Sequence, residues 1–224
     1  MYPFFSKEET WNICIGFLEK DSPISDFKQT ISCFKSDFDF VFEQVVHEHA
    51  HIKNKYYRTK KNEPIVNPLM IEHYSRLMYY FSRKLFLKEI DAFILDQIFL
   101  SIKSRCCMDL FYELDLKRYF LPQHSFATVL GRAQYSDFLV VTQNCTIGNN
   151  KRKYPVIGEG IIMRPGSMIL GDCEIGDNVH IGAGTVIIDE DIPSNSVVYG
   201  HVPNLMIKDN QDNNIDLFFD ERNF

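Results

Sequence analysis

The clearest pattern along the chain is a six-residue repeat of apolar positions between residues 155 and 188. The deepest positions are aliphatic and fall six apart: Ile157, Met163, Ile169, Ile175, Ile181 and Ile187. A second small or apolar residue lies two positions before each of these: Pro155, Ile161, Ser167, Cys173, Val179 and Thr185. A period of six fits neither an α-helix, with 3.6 residues per turn, nor a half-buried strand, with a period of two. It is typical of short strands separated by turns, so we predict a parallel β-helix.

The same period extends upstream, which lengthens the predicted solenoid. Further inward positions follow in steps of six: Ile147, Val141, Tyr135 and Val129, with companions Cys145, Leu139, Ala133 and Ala127. The gap between Ile147 and Ile157 is ten, so four extra residues are inserted there. We predict that the 148–154 segment, GNNKRKY, bulges from one corner of the solenoid. Beyond Ile187 the repeat decays, and a terminal strand is expected to close the open end of the core.

The first 110 residues carry helix signals instead. Ser6 and Glu9 form a capping box, and Trp11 begins a run of apolar residues at helical spacing. Further helices are predicted over residues 24–34, 37–57 and 86–108, with a loop over 58–65. Another helix is predicted to begin at Pro68, with Asn67 as its N-cap. The predicted fold class is therefore α+β. An α-helical domain at 1–110 is followed by a left-handed parallel β-helix at 111–208. The Asn/Asp-rich tail at 209–224 is predicted to be mobile, and the alternative is that its Leu217–Phe219 segment docks against the rest of the chain.

Composition narrows the function classes. The chain has 224 residues and a net charge of −6, so it has no broad basic surface for nucleic acid. It contains no run of about 18 apolar residues, so no transmembrane segment is expected. The N-terminus does not resemble a secretory signal. The six cysteines form no CxxC pair, which favours reduced, mostly buried thiols in a cytoplasmic protein.

One short motif suggests metal chemistry. His47, Glu48 and His51 match HExxH, the pattern in which two histidines of one helix face bind zinc and the glutamate acts as base. The sequence offers no third ligand at a recognisable spacing. A helix surface with several histidines is therefore the favoured interpretation, and no metal is predicted.

Two features near the insertion are candidates for chemistry. The inserted segment contains Lys151, Arg152 and Lys153, which form either a solvated loop or a contact with the phosphates of a cofactor or an anionic acceptor. His124 lies where the helical half meets the first solenoid turn. A histidine at such a junction is a candidate catalytic base.

The solenoid half resembles a known family. Residues 156–203 are similar to the C-terminal half of bacterial serine acetyltransferases, within the left-handed β-helix acyltransferases. The matching segments here are VIGEGIIM, GSMILGDCEIG, IGAGTVI and GHVPNL, with HSFATVLG and QNCTIGN upstream. The resemblance covers about residues 112–208.

The resemblance implies acetyl transfer from acetyl-CoA to a hydroxyl, with His124 as general base. An upstream acid would orient the imidazole, with Asp115 the best match and Glu113 the alternative. The family contacts acetyl-CoA largely through backbone at turns that match these positions: Pro165, Gly166, Ser167, Ala183, Gly184 and Thr185. Lys208 is available for a phosphate. The family also implies a homotrimer whose site needs two chains, with pairing of trimers into hexamers left open.

Departures from the family pattern concern the acceptor. The family's loop ends in Arg-His-Pro, where this chain has Lys153-Tyr154-Pro155, and the aspartate before the histidine is Gln123 here. Loss of the charged serine contacts favours a neutral polyhydroxyl, so we predict O-acetylation of a sugar hydroxyl in a capsular or O-antigen polysaccharide or its precursor. The alternatives are L-serine as acceptor and a non-catalytic hexapeptide-repeat scaffold.

Overall fold

A computed structural model describes residues 4–24 and 27–220 of the chain. It divides into two compact units, one ending at Glu113 and the other beginning at Leu114. Residues 25–26 of the predicted second helix and 221–224 of the predicted tail lie outside the described residues. None of the helices within residues 4–24 and 27–220 has both the length and the apolar character that a membrane span requires.

The first unit is helical. Its helices are α1 (Lys7–Asp21), α2 (Phe27–Ser32), α3 (Lys35–His49), α4 (Ile71–Leu87) and α5 (Ala92–Cys106), with a 3₁₀ turn at Lys55–Tyr57 and a short strand, β1 (Met108–Leu110). The predicted capping box is confirmed, because the Ser6 hydroxyl accepts from the Glu9 N–H and the Glu9 carboxylate accepts from the Ser6 N–H. Trp11 then packs edge-to-face on Phe38, with ring centroids 5.0 Å apart, and Phe38 packs in the same way on Phe81 at 5.4 Å.

Several predicted helix boundaries are wrong. The third helix ends at His49, well before position 57. Asn67 does not begin α4; its side chain accepts from the Leu69 N–H, and Met70 is the residue before the helix. The predicted helix over 86–108 is broken after Leu87. Glu89 takes a positive φ of 57°, which sequence patterns associate with glycine, and α5 begins afresh beyond it.

The second unit is a parallel β-helix whose parallel strands form three faces, with five strands on the first face, four on the second and three on the third. The first face contains β2 (Phe120–Pro122), β5 (Leu139–Val141), β8 (Ile162–Met163), β11 (His180–Ile181) and β13 (Ser196–Tyr199). The second contains β3 (Thr128–Leu130), β6 (Thr146–Gly148), β9 (Met168–Leu170) and β12 (Val186–Ile188), and the third contains β4 (Gln134–Tyr135), β7 (Val156–Ile157) and β10 (Glu174–Ile175). These strands pair in parallel along each face, which confirms the predicted fold class.

The six-residue period sets which side chains fill the core. All six deep positions from Ile157 to Ile187 are buried, and so are their six companions. The prediction fails in the first coil, where Val129 is 40% exposed and Leu130 is buried instead. Only five positions separate Leu130 from Tyr135, the next inward residue, so the segment between these two faces is one residue shorter than the period requires.

Turns at three corners connect the faces. The first corner, between the first and second faces, comprises residues 123–127, 142–145, 164–167 and 182–185. The second corner, between the second and third faces, comprises 131–133, 149–155, 171–173 and 189–191. The third corner comprises 136–138, 158–161, 176–179 and 193–195.

As far as it is described, the tail packs against the β-helix, which agrees with the alternative of a docked Leu217–Phe219 segment and not with a mobile tail. Strand β14 (Met206–Asp209) pairs antiparallel with β13, and a short helix, α6 (Asn214–Phe218), follows. The Asn214 side-chain amide donates to the Gly160 carbonyl at 2.9 Å. Phe219 is buried with its ring 5.2 Å from that of Phe138. The tail therefore runs along the third corner.

Candidate active site

His124 is presented to solvent by a tight turn at the first corner. β2 ends at Pro122, and the Gln123 N–H donates to the Val141 carbonyl of the next coil at 2.8 Å. His124 then adopts a φ of 51°, and its carbonyl accepts from the Phe126 N–H at 2.8 Å. A left-handed conformation is uncommon for residues other than glycine, but it recurs at other turns of this β-helix, such as Phe138 and Asn144, and is therefore a property of the turn. The turn leaves the imidazole exposed, while Ser125 beside it is buried.

The positions proposed for cofactor contact lie in the same corner of later coils. The turns are stacked by backbone hydrogen bonds, from the Gly166 N–H to the Gln143 carbonyl at 3.0 Å and from the Gly184 N–H to the Pro165 carbonyl at 2.8 Å. Ala183 and Gly184 are exposed, and a Cβ on Gly184 would meet no atom within 4 Å. This ridge of main chain is therefore open to a ligand.

Two of those cofactor positions contribute no accessible side chain. Ser167 and Thr185 are fully buried in the β-helix core. The Thr185 hydroxyl donates to the Val198 carbonyl at 3.3 Å, and the Ser167 hydroxyl lies 3.6 Å from the Cys145 sulfur. Only their backbone could contact acetyl-CoA. Lys208 lies in β14 opposite Val197, with its side chain exposed.

Three polar side chains near this corner were missed by the sequence analysis. The Arg164 Nε donates to the His180 Nε2 at 2.8 Å, and the Arg164 guanidinium lies 6.0 Å from the Phe218 ring of the tail. Burial, and then the neighbouring Arg164 charge, lower the pKa of His180. His201 lies 2.8 Å from the Gly184 carbonyl through its Nε2. No spacing marks these contacts, because they join different coils.

The inserted segment is a small hairpin at the second corner. Asn150 and Lys153 exchange two backbone hydrogen bonds, of 3.2 and 2.8 Å, around Lys151 and Arg152. Lys153 and Tyr154 therefore lie at one corner, whereas Gln123 and His124 lie at another, with the second face between them. The four predicted acceptor-side residues are not brought together within one chain.

The acid proposed to orient His124 lies elsewhere. Asp115 forms an ion pair of 2.5 Å with Lys117, and both line a cavity of about 380 Å³ on the third face with Gln134 and Tyr135. The structure therefore groups Asp115 with the third face and not with the first corner. Glu113, the alternative, is the last residue of the helical unit, where its carbonyl accepts from Arg83 at 3.1 Å.

The HExxH match is not an exposed histidine surface, so that interpretation is wrong. Glu48 and His51 are buried, and only His47 of the motif is exposed. The Glu48 carboxylate forms a buried ion pair with Arg76 at 2.7 Å, so its role is structural. Across residues 4–24 and 27–220, no group of three or more His, Cys, Asp or Glu side chains is placed to hold a metal ion.

Sequence comparisons match the β-helix and part of its surroundings. The family described as bacterial transferase hexapeptide (six repeats) matches residues 154–189. A serine acetyltransferase of Synechococcus elongatus is 32% identical over 82 residues, which cover 34% of this chain and 33% of that protein. A serine acetyltransferase of Staphylococcus epidermidis is 32% identical over 112 residues, covering 48% of this chain and 51% of that protein. The chain thus spans between about a third and a half of the length of these curated relatives.

Solved structures with the same fold cover nearly the whole chain. The serine acetyltransferase of Neisseria gonorrhoeae superposes with a TM-score of 0.71 at 20% identity, covering 96% of this chain and 85% of that one. A serine acetyltransferase in complex with CoA superposes with a TM-score of 0.66 at 16% identity, covering 90% and 84%. At these identities the likeness establishes the fold alone.

These matches correct the predicted acceptor. Because the relatives are serine acetyltransferases, the expectation of a polysaccharide hydroxyl is wrong, and the alternative, L-serine, is the better supported. The charge changes at Gln123, Lys153 and Tyr154 were not sufficient grounds for choosing a sugar. The repeat, the fold and the relatives together fit the left-handed β-helix acyltransferase superfamily, whose hexapeptide repeat this chain carries at residues 154–189.

Proposed function

We propose that this chain is an acetyl-CoA-dependent O-acetyltransferase that acetylates L-serine. The observation that carries the proposal is the exposed imidazole of His124 at the head of the stacked first-corner turns, in a chain whose matched relatives are serine acetyltransferases. Gly166 and Gly184 in those turns leave the main chain open to the donor.

In the proposed reaction, His124 accepts the proton of the serine hydroxyl through a ring nitrogen. The hydroxyl oxygen attacks the thioester carbonyl and forms a C–O bond, and the resulting tetrahedral intermediate breaks its C–S bond. His124 returns the proton to the departing thiolate, so the products are O-acetylserine and CoA. A general base placed in this way contributes a rate factor of about 10²–10⁴.

The assembly is part of the proposal. Gln123 and His124 occupy the first corner, and Lys153 and Tyr154 occupy the second, so a site that uses all four requires the second corner of another copy. A homotrimer meets this requirement, because it repeats one contact between unlike corners around a closed ring. We also propose that the protein acts in the cytoplasm, where thiols such as Cys33 and Cys107, which are exposed, remain reduced.

The direct test is CoA release from acetyl-CoA, followed by thiol titration in the presence of L-serine. L-Alanine is the matched control, because it has the same carboxylate and amine but no hydroxyl. We expect serine-dependent release well above the rate with L-alanine, and O-acetylserine among the products by mass spectrometry. Equal rates with the two amino acids would refute serine O-acetylation.

A further inference from the structure

The hairpin at the second corner has two long cationic residues at its tip, both in an unfavourable conformation. Lys151 has a φ of 47° and Arg152 a φ of 65°. They are the central residues of a two-residue hairpin turn in which both φ values must be positive, and Asn-Gly or Asp-Gly is the usual choice there. Positive φ values recur at other turns of the chain, so the observation specific to this hairpin is that its two turn residues both carry a positive charge.

The base of the hairpin is fixed by acidic residues of later coils. The Asn150 side-chain amide donates to Asp189 Oδ2 at 2.6 Å. The other oxygen of Asp189 accepts from the Asp172 N–H at 2.9 Å, and the Asp172 carboxylate lies 3.3 Å from Lys153 Nζ. These contacts join three coils at one corner, so the direction of the hairpin is set by the solenoid.

Gly171 makes room for this anchor. A Cβ on Gly171 would lie 2.0 Å from Asp189 Oδ1 and 2.7 Å from the Cβ of Asn150, and its φ of 87° disfavours other residues. The space in which Asn150 and Asp189 meet therefore depends on the glycine. The anchor thus consists of Asn150, Gly171, Asp172 and Asp189, which together hold the cationic tip in one orientation.

The Asp172 carboxylate forms an ion pair with Lys153, and the Asp189 carboxylate also attracts Lys151 at longer range. Lys151 and Arg152 are both exposed, and in the described part of the chain neither forms an ion pair. The chain as a whole has a net charge of −6, so this tip stands out against an acidic background. Arginine and lysine placed together on a preorganised turn suit a phosphate group, which accepts several charge-assisted hydrogen bonds.

We propose that Lys151 and Arg152 bind the phosphate groups of the acyl donor. This inference rests on the proposed function, in which the donor, acetyl-CoA, carries a 3′-phosphate and a pyrophosphate. L-Serine carries one carboxylate that is balanced by its own ammonium, whereas the donor carries several phosphate charges, so the donor is the better match for two adjacent cations. The hairpin is thus a donor-binding arm, which complements the main-chain ridge of the first corner.

The test compares CoA with 3′-dephospho-CoA, which lacks only the 3′-phosphate, and with pantetheine, which lacks the adenosine and all the phosphates. Lys151→Gln/Arg152→Gln and the unmodified protein are titrated calorimetrically with CoA, 3′-dephospho-CoA and pantetheine. We expect the double substitution to raise the Kd for CoA by about three- to thirty-fold, as expected for the loss of two exposed charge-assisted contacts. The Kd for pantetheine should stay unchanged. A penalty that disappears with 3′-dephospho-CoA assigns the contact to the 3′-phosphate, and one that persists assigns it to the pyrophosphate.

The matched control is Lys60→Gln/Lys61→Gln, which removes the same two charges from an exposed loop of the helical unit and should leave the CoA Kd unchanged. Circular dichroism confirms that each variant is folded. An unchanged Kd for CoA in the hairpin variant, or the same loss with pantetheine or in the control, would overturn the proposal. Because these are binding measurements, absence of serine turnover would refute the proposed acceptor without affecting this result.

Discussion

The Arg76 guanidinium lies 2.7 Å from the Glu48 carboxylate, measured from Nη2 to Oε2, and both side chains are excluded from solvent. The pair joins α4 to α3 in the helical unit. The Tyr80 ring lies 6.0 Å from the guanidinium carbon, and burial, with Glu48 next in effect, raises the pKa of Tyr80 well above its usual value. Burying two charges costs desolvation free energy, but removing only one of them destabilises the fold more, because the remaining charge is buried without a partner.

Replacing one member of this pair should therefore destabilise the helical unit strongly. For Arg76→Met, we expect the free energy of unfolding to fall by about 3–5 kcal/mol, because Glu48 is left buried without its partner. Urea unfolding followed by the fluorescence of Trp11, the only tryptophan of the chain, measures this unit directly. The double variant Glu48→Leu/Arg76→Met should recover most of the loss. Equal stability of the single and the double variant would contradict this account.

Two buried histidines beside the pair should make the stability of the helical unit depend on pH. His73 Nδ1 accepts from the Asn67 N–H, which requires a neutral His73 ring, and His49 Nδ1 lies 2.7 Å from the Ile65 carbonyl, to which it donates. Their Nε2 atoms are buried, with no hydrogen-bond partner in the described structure. Burial, and next the Arg76 charge, lower the pKa of His73 to about 3. Burial, followed by the His73 and Arg76 charges, lowers the pKa of His49 well below its usual value.

The direction in which the free energy of unfolding changes with pH follows from the number of protons that each state binds. Between pH 6.5 and about 3 the unfolded chain protonates His73 and the folded chain does not, so the free energy of unfolding falls as the pH falls. The expected slope is about 1.4 kcal/mol per pH unit for each histidine. Trp11-monitored urea midpoints from pH 7.5 to 5 measure it. His73→Asn keeps an acceptor for Asn67 and should roughly halve the slope, and an unchanged slope would remove His73 from the explanation.

The solenoid was predictable because its core admits one kind of pattern. Every inward position must be small or apolar, and the constraint recurs every six residues, so the signal accumulates over the coils. The shift in the first coil was not predictable in the same way. Val129 and Leu130 are both apolar, and only the length of the following turn decides which of them points inward. The break at Glu89 has no glycine or proline to mark it.

The candidate site was predictable only in part. His124 was identified from its place at the start of the repeat, and the structure places it at a corner. Successive six-residue repeats, however, lie on successive faces of the β-helix. Two segments that are one or two repeats apart in sequence can therefore lie at different corners. The insertion follows β6 and leaves from the second corner, whereas His124 follows β2 and lies at the first. Contacts between coils, such as Arg164 with His180, leave no trace in local spacing.

The docked tail should stabilise the β-helix unit. Phe219 is buried against Phe138 and Tyr119, whose rings stack with centroids 4.9 Å apart. For Phe219→Ala, we expect a loss of about 3–5 kcal/mol, which is the range for truncating a buried phenylalanine. Thermal unfolding followed by far-UV circular dichroism measures it. Leu217→Ala is the control, because Leu217 is 46% exposed and its truncation should change stability by less than about 0.5 kcal/mol. Equal effects would show that the docking of Phe219 is not stabilising.

The anchor of the hairpin can be tested by proteolysis, because its tip offers Lys151 and Arg152 to trypsin. Asp189→Ala removes the acceptor of Asn150 and of the Asp172 N–H, so we expect cleavage at the tip to accelerate by about five-fold or more, as local opening becomes easier. Mass spectrometry of timed digests locates the cut. The neighbouring carboxylate Glu190 is exposed, and Glu190→Ala is the matched control. A hairpin cut equally fast in both variants would mean that Asp189 does not hold it.

Catalysis by His124 makes the sharpest functional prediction. If its imidazole moves the proton of the acceptor hydroxyl, His124→Gln should lower kcat by about 10²–10⁴, because glutamine of similar size cannot act as a base. The KM for acetyl-CoA should change little, since the stacked turns at Gly166 and Gly184 are untouched. The side chain is exposed, so the melting temperature should stay near that of the unmodified chain. His47→Gln alters an exposed histidine of α3 and serves as the control. A His124→Gln variant with the kcat of this control would exclude His124 as the base, whatever the acceptor proves to be.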